Sequence, residues 1–547
     1  MVAELSEQEF FQRVSNSELL QRRDLGIFVI PVTFFNYKTL TNMPQESCHT
    51  QIMSGFPILI QGGMGAGVSD WRLARAVSQL GHLGVVSGTA LDQILARRLQ
   101  DGDPGGHMRH ALEHFPVRAM AERVLREYFI PNGKQAADSY KTLPMHSKDS
   151  PRELKERCIV ANFAEVFLAR ESHENAVGIN YLEKVQIPHL PSLYGAMLAG
   201  VSYVLMGAGI PLKIPGVLDK LARHEAASYE LYVTGAQPGD DNTITFAPRE
   251  FMGEDDRNAE SPPLMRPKFL AIIASNTLAT TMVKKANGKV DGFVIEGPRA
   301  GGHNAPPRGK LALNAAGEPL YGERDEVDLE KIRELGLPFW LAGEYGHPEK
   351  VRAALAAGAT GVQVGTAFAF CEESGLRQDY KHALLEHAIK GKAAVFTDPL
   401  ASPTGFPFKV AQLEGTLSDP EICAARPRIC DLGFLREAYR TEDGEVDYRC
   451  PGEPVSVYVS KGGKPENTAG RKCLCNALLA NIGHSQVRVG KHVEVGLITS
   501  GDDLKTIPQF LPEGQHSYSA ADVVAKLLGA LQQHPQDTSC MTLMATV

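Results

Sequence analysis

The sequence predicts an α/β chain, and within that class a (β/α)8 TIM barrel with long insertions between strands and a C-terminal extension. Three observations carry this. Eight short apolar runs recur along the 547 residues, each apolar enough to be buried on both faces, as parallel strands are. Helix-like segments separate the runs, and a count of eight closes a barrel rather than leaving an open doubly wound sheet. The residues able to do chemistry fall just after the runs, at the C-terminal strand ends where barrel enzymes place their active sites.

In chain order the strand-like runs are Ile58–Gln61, Leu83–Ser87, Ala176–Asn180, Ser202–Met206, Phe269–Ala274, Gly292–Glu296, Phe339–Ala342 and Gly361–Val364. Helix-like segments lie at Asp70–Leu80, Leu193–Ala199, Thr277–Ala286 and Pro348–Ala357. Several start at an N-cap or proline and stop at a glycine such as Gly81, Gly200 or Gly358. The barrel is expected over 55–414, with insertions near 105–172, 216–266 and 304–328. Residues 1–54 are expected to be an N-terminal extension, with translation from Met1 or Met53, and 415–547 a C-terminal extension. Long insertions on a barrel commonly make lids or partner surfaces.

Gln61-Gly62-Gly63-Met64-Gly65 follows the first run, Asn180 ends the third, Gly207-Ala208-Gly209 follows the fourth and Ser275 the fifth. After the sixth the chain reads VDGFVIEGPRAGGHNAPPRG: a strand ending at Glu296, the paired turn Gly301-Gly302, then His303 and a stiff Pro306-Pro307. A histidine held in such a turn can exchange a proton near neutral pH. The loops after the seventh and eighth runs, LAGEYGHPEKV and VQVGTAFAF, sit where barrels commonly bind phosphate. Gly343, Gly346 and Gly365 can expose backbone donors there, and Thr366 adds a hydroxyl.

Composition excludes several classes. A formal charge of -8 with no basic tract argues against nucleic acid, and no apolar run reaches the roughly 20 residues that span a bilayer. The first residues lack a signal-peptide core, and nine cysteines on a long chain suit a reducing cytoplasm. Five of them, Cys423, Cys430, Cys450, Cys473 and Cys475, fall close together in the tail. With no CxxC pair, they read as scattered buried thiols, and no metal site is expected. His107, His110 and His114 recur at helical spacing without thiol or acidic partners and read as a solvated helix face.

The chain resembles the FMN-dependent barrel enzymes that include nitronate monooxygenases (2-nitropropane dioxygenases) and flavin-type enoyl-ACP reductases. The resemblance rests on PILIQGGMGAGVSDWRLARAVSQLGHLGVVSG, AVGIN, MGAGIP, AIIASNTLA, DGFVIEGPRAGGH and AAGATGVQVGTAF, in that order, between about Phe56 and Phe408. It implies bound FMN. Residues 62–65 would lie against the isoalloxazine edge, with Asn180 and Ser275 on ring or ribityl atoms. Gly302, Gly343, Gly365 and Thr366 would surround the phosphate. His303 matches the family histidine that takes the substrate's α-proton, the flavin carrying the redox chemistry.

Two departures stand out. Relatives usually have two glycines where this chain has Gly343-Glu344, and Asn304-Ala305-Pro306-Pro307 replaces a small residue and glycine. The long insertions resemble those of larger barrel reductases that act in trans with polyketide or polyunsaturated fatty-acid synthases. The resemblance implies oxidation of a nitronate with O2. The alternative is reduction of an enoyl thioester with NAD(P)H, and a third reading is a barrel without catalysis that binds through its tail. A small-molecule substrate and no membrane are expected, and a homodimer is the assembly considered.

Overall fold

The computed structural model describes residues 55–253, 261–488, 490 and 492–532. The expected extension over 1–54, and Met53 within it, lie outside the described residues.

Eight strands form one parallel sheet: β1 (Leu59–Gln61), β2 (Gly84–Ser87), β3 (Val177–Leu182), β4 (Tyr203–Gly207), β5 (Lys268–Ile273), β6 (Gly292–Glu296), β7 (Phe339–Ala342) and β8 (Gly361–Val364). Their order is β1-β8-β7-β6-β5-β4-β3-β2. The ring closes between the two ends, where Ile60 bridges Leu83 and the Gln61 amide donates to the Leu83 carbonyl at 2.9 Å. This is the eight-stranded barrel that the sequence predicts.

The strands form because alternate residues serve two cores. Ile60, Val85, Leu205, Leu270, Val294 and Trp340 fill the barrel interior, while Leu59, Val86, Ile179, Val204 and Phe293 pack outward among the helices. Trp340 is fully buried, and its indole donates to the Pro57 carbonyl at 2.7 Å, so its one polar atom is satisfied.

The helices obey the expected punctuation. Asp70 caps Trp71–Gln79, accepting from the Arg72 amide at 2.9 Å and the Leu73 amide at 3.4 Å. The helix expected from Leu193 starts earlier and runs His189–Leu198. Pro191 sits in its first turn, where the missing N–H would have had no partner.

The first insertion is helical (His107–Glu113, Arg118–Tyr128, Arg152–Arg170), and the last of these buries Ile159, Val160, Ala164 and Leu168. His114 is exposed and His110 half-exposed, as a solvated face predicts, but His110 does have an acidic partner, Glu171 at 2.5 Å, and His114 stacks on Phe167 at 4.8 Å. The second insertion carries an antiparallel pair, Ala227–Glu230 with Thr243–Phe246. Beyond the barrel, β9 (Val395–Asp398) and β10 (Phe408–Ala411) form an antiparallel pair. The Ala411 amide donates to the Ile498 carbonyl at 2.9 Å, tying the chain's last third to this hairpin.

Candidate active site

One cavity of about 210 Å3 lies at the C-terminal ends of the strands. Gly62, Gly63, Met64 and Gly65 line it from the loop after β1, and Asn180 from β3. Gly301, Gly302 and His303 enter after β6, Gly343 after β7, and Gly365 and Thr366 after β8. Two residues singled out from sequence stand outside it. The Ser275 hydroxyl caps the helix Asn276–Lys285, accepting from the Leu278 amide at 3.1 Å. The Gly346 carbonyl accepts from Gln509 Nε2 at 3.0 Å.

The wall at β1 is held close by its own hydrogen bonds. Ser69 Oγ accepts from the Met64 amide at 2.9 Å and donates to the Gly62 carbonyl at 3.0 Å, and Gln61 Nε2 donates to the same hydroxyl. A Cβ on Gly63 would stand 2.5 Å from Asn180 Cβ, so only glycine lets this loop approach β3.

The cavity offers acceptors that the protein leaves unused. Asn180 Oδ1, Gln363 Oε1, Asn481 Oδ1 and Asp503 Oδ1 all belong to lining residues and are buried without a hydrogen-bond partner among the described residues. A buried polar group left unpaired costs about 1–3 kcal/mol, so this wall suits a ligand that brings N–H or O–H donors. This acceptor set fits a ligand that combines a ring N–H with several hydroxyls, as a flavin with its ribityl chain does.

The turn after β7 accommodates a glutamate where the resemblance implies a second glycine. Gly343 and Glu344 both take left-handed conformations, φ +97 and +60, which is what a pair of glycines would supply. The Glu344 carboxylate accepts from Arg299 Nη1 at 2.6 Å and Lys350 Nζ at 2.9 Å. Burial opposes its charge, yet these two cations hold it below the ordinary carboxylate value and neutralise it.

His303 packs edge-on against Phe408, centroids 4.8 Å apart, and its Nε2 shares a 2.7 Å hydrogen bond with Ser402 Oγ. Ser402 is bonded in turn to Thr404 at 2.8 Å. Burial, and then the charge of Lys184, push the imidazole down to about 3, so it is neutral throughout the physiological range. Burial also brings Lys184 down to about 8, and its ammonium lies 3.0 Å from the Phe406 ring centre. Glu296, at the end of β6 and in the same cavity wall, is lifted by burial to about 7. The usual order of carboxyl and imidazole is thus inverted here.

The wall that sequence reasoning missed comes from beyond the barrel. Thr499 Oγ1 accepts from the Gly302 amide at 2.7 Å, and the Gly501 amide donates to Thr366 Oγ1 at 3.0 Å. A Cβ on Gly301 would meet the Gly501 nitrogen at 2.9 Å, so the histidine turn and the tail touch backbone to backbone. The signal was a small polar run, Thr499-Ser500-Gly501-Asp502, directly after apolar Leu497-Ile498.

Residues 261–399 match the family model for nitronate monooxygenase, a span that includes His303, Gly343 and Gly365. A probable nitronate monooxygenase of Staphylococcus saprophyticus is 30% identical over 121 residues, which is 22% of this chain and 33% of that relative. The nitronate monooxygenase of Paraburkholderia phytofirmans is 28% identical over 183 residues, 33% of this chain and 47% of the relative. The chain thus matches less than half the length of these curated relatives. Among solved structures, a nitroalkane oxidase from Streptomyces ansochromogenes is 16% identical, with 87% of this chain and 97% of that one covered at a TM-score of 0.41. Ser402, Asn481, Thr499 and Gly501 lie beyond the nitronate monooxygenase match. Among the described residues, no helix is long and apolar enough to cross a membrane.

Proposed function

We propose that the chain is an FMN-dependent oxidoreductase of nitronate monooxygenase type, oxidising alkyl nitronates with O2. The observation that carries this reading is a neutral imidazole on the wall of a cavity with four unpaired acceptors. Residues 62–65, Asn180 and Gln363 would hold the ring, and Gly343, Gly365 and Thr366 the phosphate; Gly302, expected to join them, has its amide spent on Thr499 Oγ1. Ser275 and Gly346 take no part. FMN, when bound, supplies the electron-accepting chemistry.

The chain's own residues handle the proton. With Nε2–H donated to Ser402 Oγ, a tautomer inferred from the hydrogen bond, Nδ1 keeps the lone pair that takes the α-proton of a neutral nitroalkane. Ser402 and Thr404 fix the ring plane, and Phe408 keeps one side of it dry. A preformed nitronate has already lost this proton and asks only to be bound.

A second reading, reduction of an enoyl thioester with NAD(P)H, draws on Glu296. A carboxyl near 7 is well matched to give a proton at neutral pH, whereas an imidazole near 3 is a weak acceptor. Anaerobic mixing of the purified yellow protein with NADPH, and separately with a nitronate, decides between them. Flavin bleaching by nitronate alone supports the monooxygenase, and bleaching by NADPH supports the reductase. A wild-type protein that takes up no FMN would sink both.

A further inference from the structure

The segment Asp502–Phe510 brings a carboxyl to the end of the cavity where the flavin reading puts a phosphate. Asp503 lines the cavity and is 7% exposed, and its Oδ1 has no hydrogen-bond partner among the described residues. Two glycines fix where the carboxyl lies. A Cβ on Gly501 would stand 2.8 Å from Asp503 Oδ1 and 2.9 Å from Thr366 Oγ1, and one on Gly346 would stand 3.0 Å from Asp503 Oδ2. The carboxyl therefore sits between the loop after β7 and the turn after β8, beside the Thr366 hydroxyl.

Among the described residues the nearby cations are already paired. Arg299, which shares the cavity wall, and Lys350 hold Glu344 at 2.6 and 2.9 Å, and Lys409 holds Asp502 at 2.7 Å. His347 has Nε2 3.2 Å from Thr506 Oγ1 and Nδ1 3.6 Å from Glu349. Tyr518 donates to the Ala367 carbonyl at 2.8 Å, and burial keeps its hydroxyl protonated. Burial raises the Asp503 carboxyl above the ordinary aspartate value and the charge of Glu344 adds to this, while Thr366 and His347 oppose it. Like charges this close in a buried site cannot both ionise without cost, so an ionised Asp503 stands against a phosphate at Thr366. A protonated carboxyl reverses the contact, because it loses its charge and gains an O–H donor.

We propose that Asp503 reads the charge at the cofactor's end: its protonated carboxyl donates to the phosphate, its ionised form repels it, and FMN loading therefore takes up one proton from solvent. The inference rests on the flavin reading of the cavity and adds to it a binding residue from beyond the barrel. Only the Asp503 O–H bond is made, and no oxidation state changes. FMN affinity is then full below the folded pKa of Asp503 and falls as the pH rises through it. Riboflavin, which has no phosphate, does not share this dependence.

The test needs no turnover. The full chain, stripped of flavin, is titrated with FMN and with riboflavin at about pH 6.5 and about pH 8.5, a window in which a phosphate monoester with its second pKa near 6 is largely dianionic. By flavin fluorescence, wild type should lose FMN affinity by up to roughly tenfold per pH unit, and riboflavin affinity by less than about twofold over the whole window. Asp503→Asn keeps the shape and a donor but cannot ionise. It should bind FMN equally at both pH values, and more tightly than wild type at the higher one. Should the variant fail to fold, which loss of riboflavin binding would show, wild type alone decides. Calorimetry in two buffers of different ionisation heat should then find about one proton taken up with FMN at the higher pH and none with riboflavin. Wild-type FMN affinity that is flat with pH, or a pH dependence that persists in Asp503→Asn, would overturn the inference and leave the flavin reading standing. Wild type that binds neither flavin at either pH would remove both.

Discussion

Glu296→Gln separates a titrating cavity group from a merely polar one. Burial lifts the carboxyl from 4.5 to about 7, and 2.5 pH units correspond to about 3 kcal/mol at 1.36 kcal/mol per unit. The residue is only half-buried, so solvent screening makes this an upper bound. The folded value lies above the unfolded one. The protonated carboxyl therefore contributes its stability fully below 4.5, and that contribution is lost as the pH rises through 7. Glutamine keeps the shape and cannot ionise. Denaturant unfolding of flavin-free protein at about pH 5 and about pH 8.5 should show the variant gaining on wild type by as much as ~3 kcal/mol at the higher pH. In the active enzyme the same substitution should remove a limb near 7 from the kcat/KM profile. A difference between variant and wild type that is the same at both pH values would refute the argument, because it would leave Glu296 ionised in the fold throughout.

His303→Asn should cut turnover of a neutral nitroalkane by roughly 10²–10⁴-fold, while oxidation of a preformed nitronate and flavin content change far less. Equal loss on both substrates would make His303 a positioning residue instead. Gly63→Ala puts a methyl 2.5 Å from Asn180 Cβ and should cost about 1–3 kcal/mol, with weaker flavin retention, as read by thermal unfolding and absorbance. Unchanged stability would mean that the loop after β1 is free to retreat. Arg299→Gln leaves Glu344 with Lys350 alone and should weaken FMN binding roughly fivefold, about 1 kcal/mol at an exposed pair. Adding Glu344→Gln should restore affinity in a flavin titration. No recovery would show that Arg299 binds the phosphate itself.

The barrel was legible because its strands are short and buried on both sides, so apolar runs alone mark them. Gly292–Glu296, Phe339–Ala342 and Gly361–Val364 coincide with β6, β7 and β8 to the residue. Where a run is followed by a loop that bends inward, the residue after the strand also lands on the cavity, which is why Gly63, His303 and Gly365 were found. Ser275 and Gly346 show the limit of that reasoning. A serine that caps a helix and a serine that binds a ligand look the same in sequence, and so do a turn glycine and a phosphate glycine. The rest was hidden because it depends on chain returning from far away. Ser402, Thr499 and Gly501 reach the histidine turn from roughly 100 to 200 positions downstream. Local pattern carries no trace of such convergence. The division has a functional consequence. The strand ends present the chemistry, while the loop between β9 and β10 supplies Ser402, the partner of His303, and the tail supplies Gly501 against Gly301 and Cys475 at the cavity wall. Residues beyond the barrel therefore wall the cavity alongside the strand ends, and grafting the loops of a relative onto the barrel alone would leave that wall unchanged.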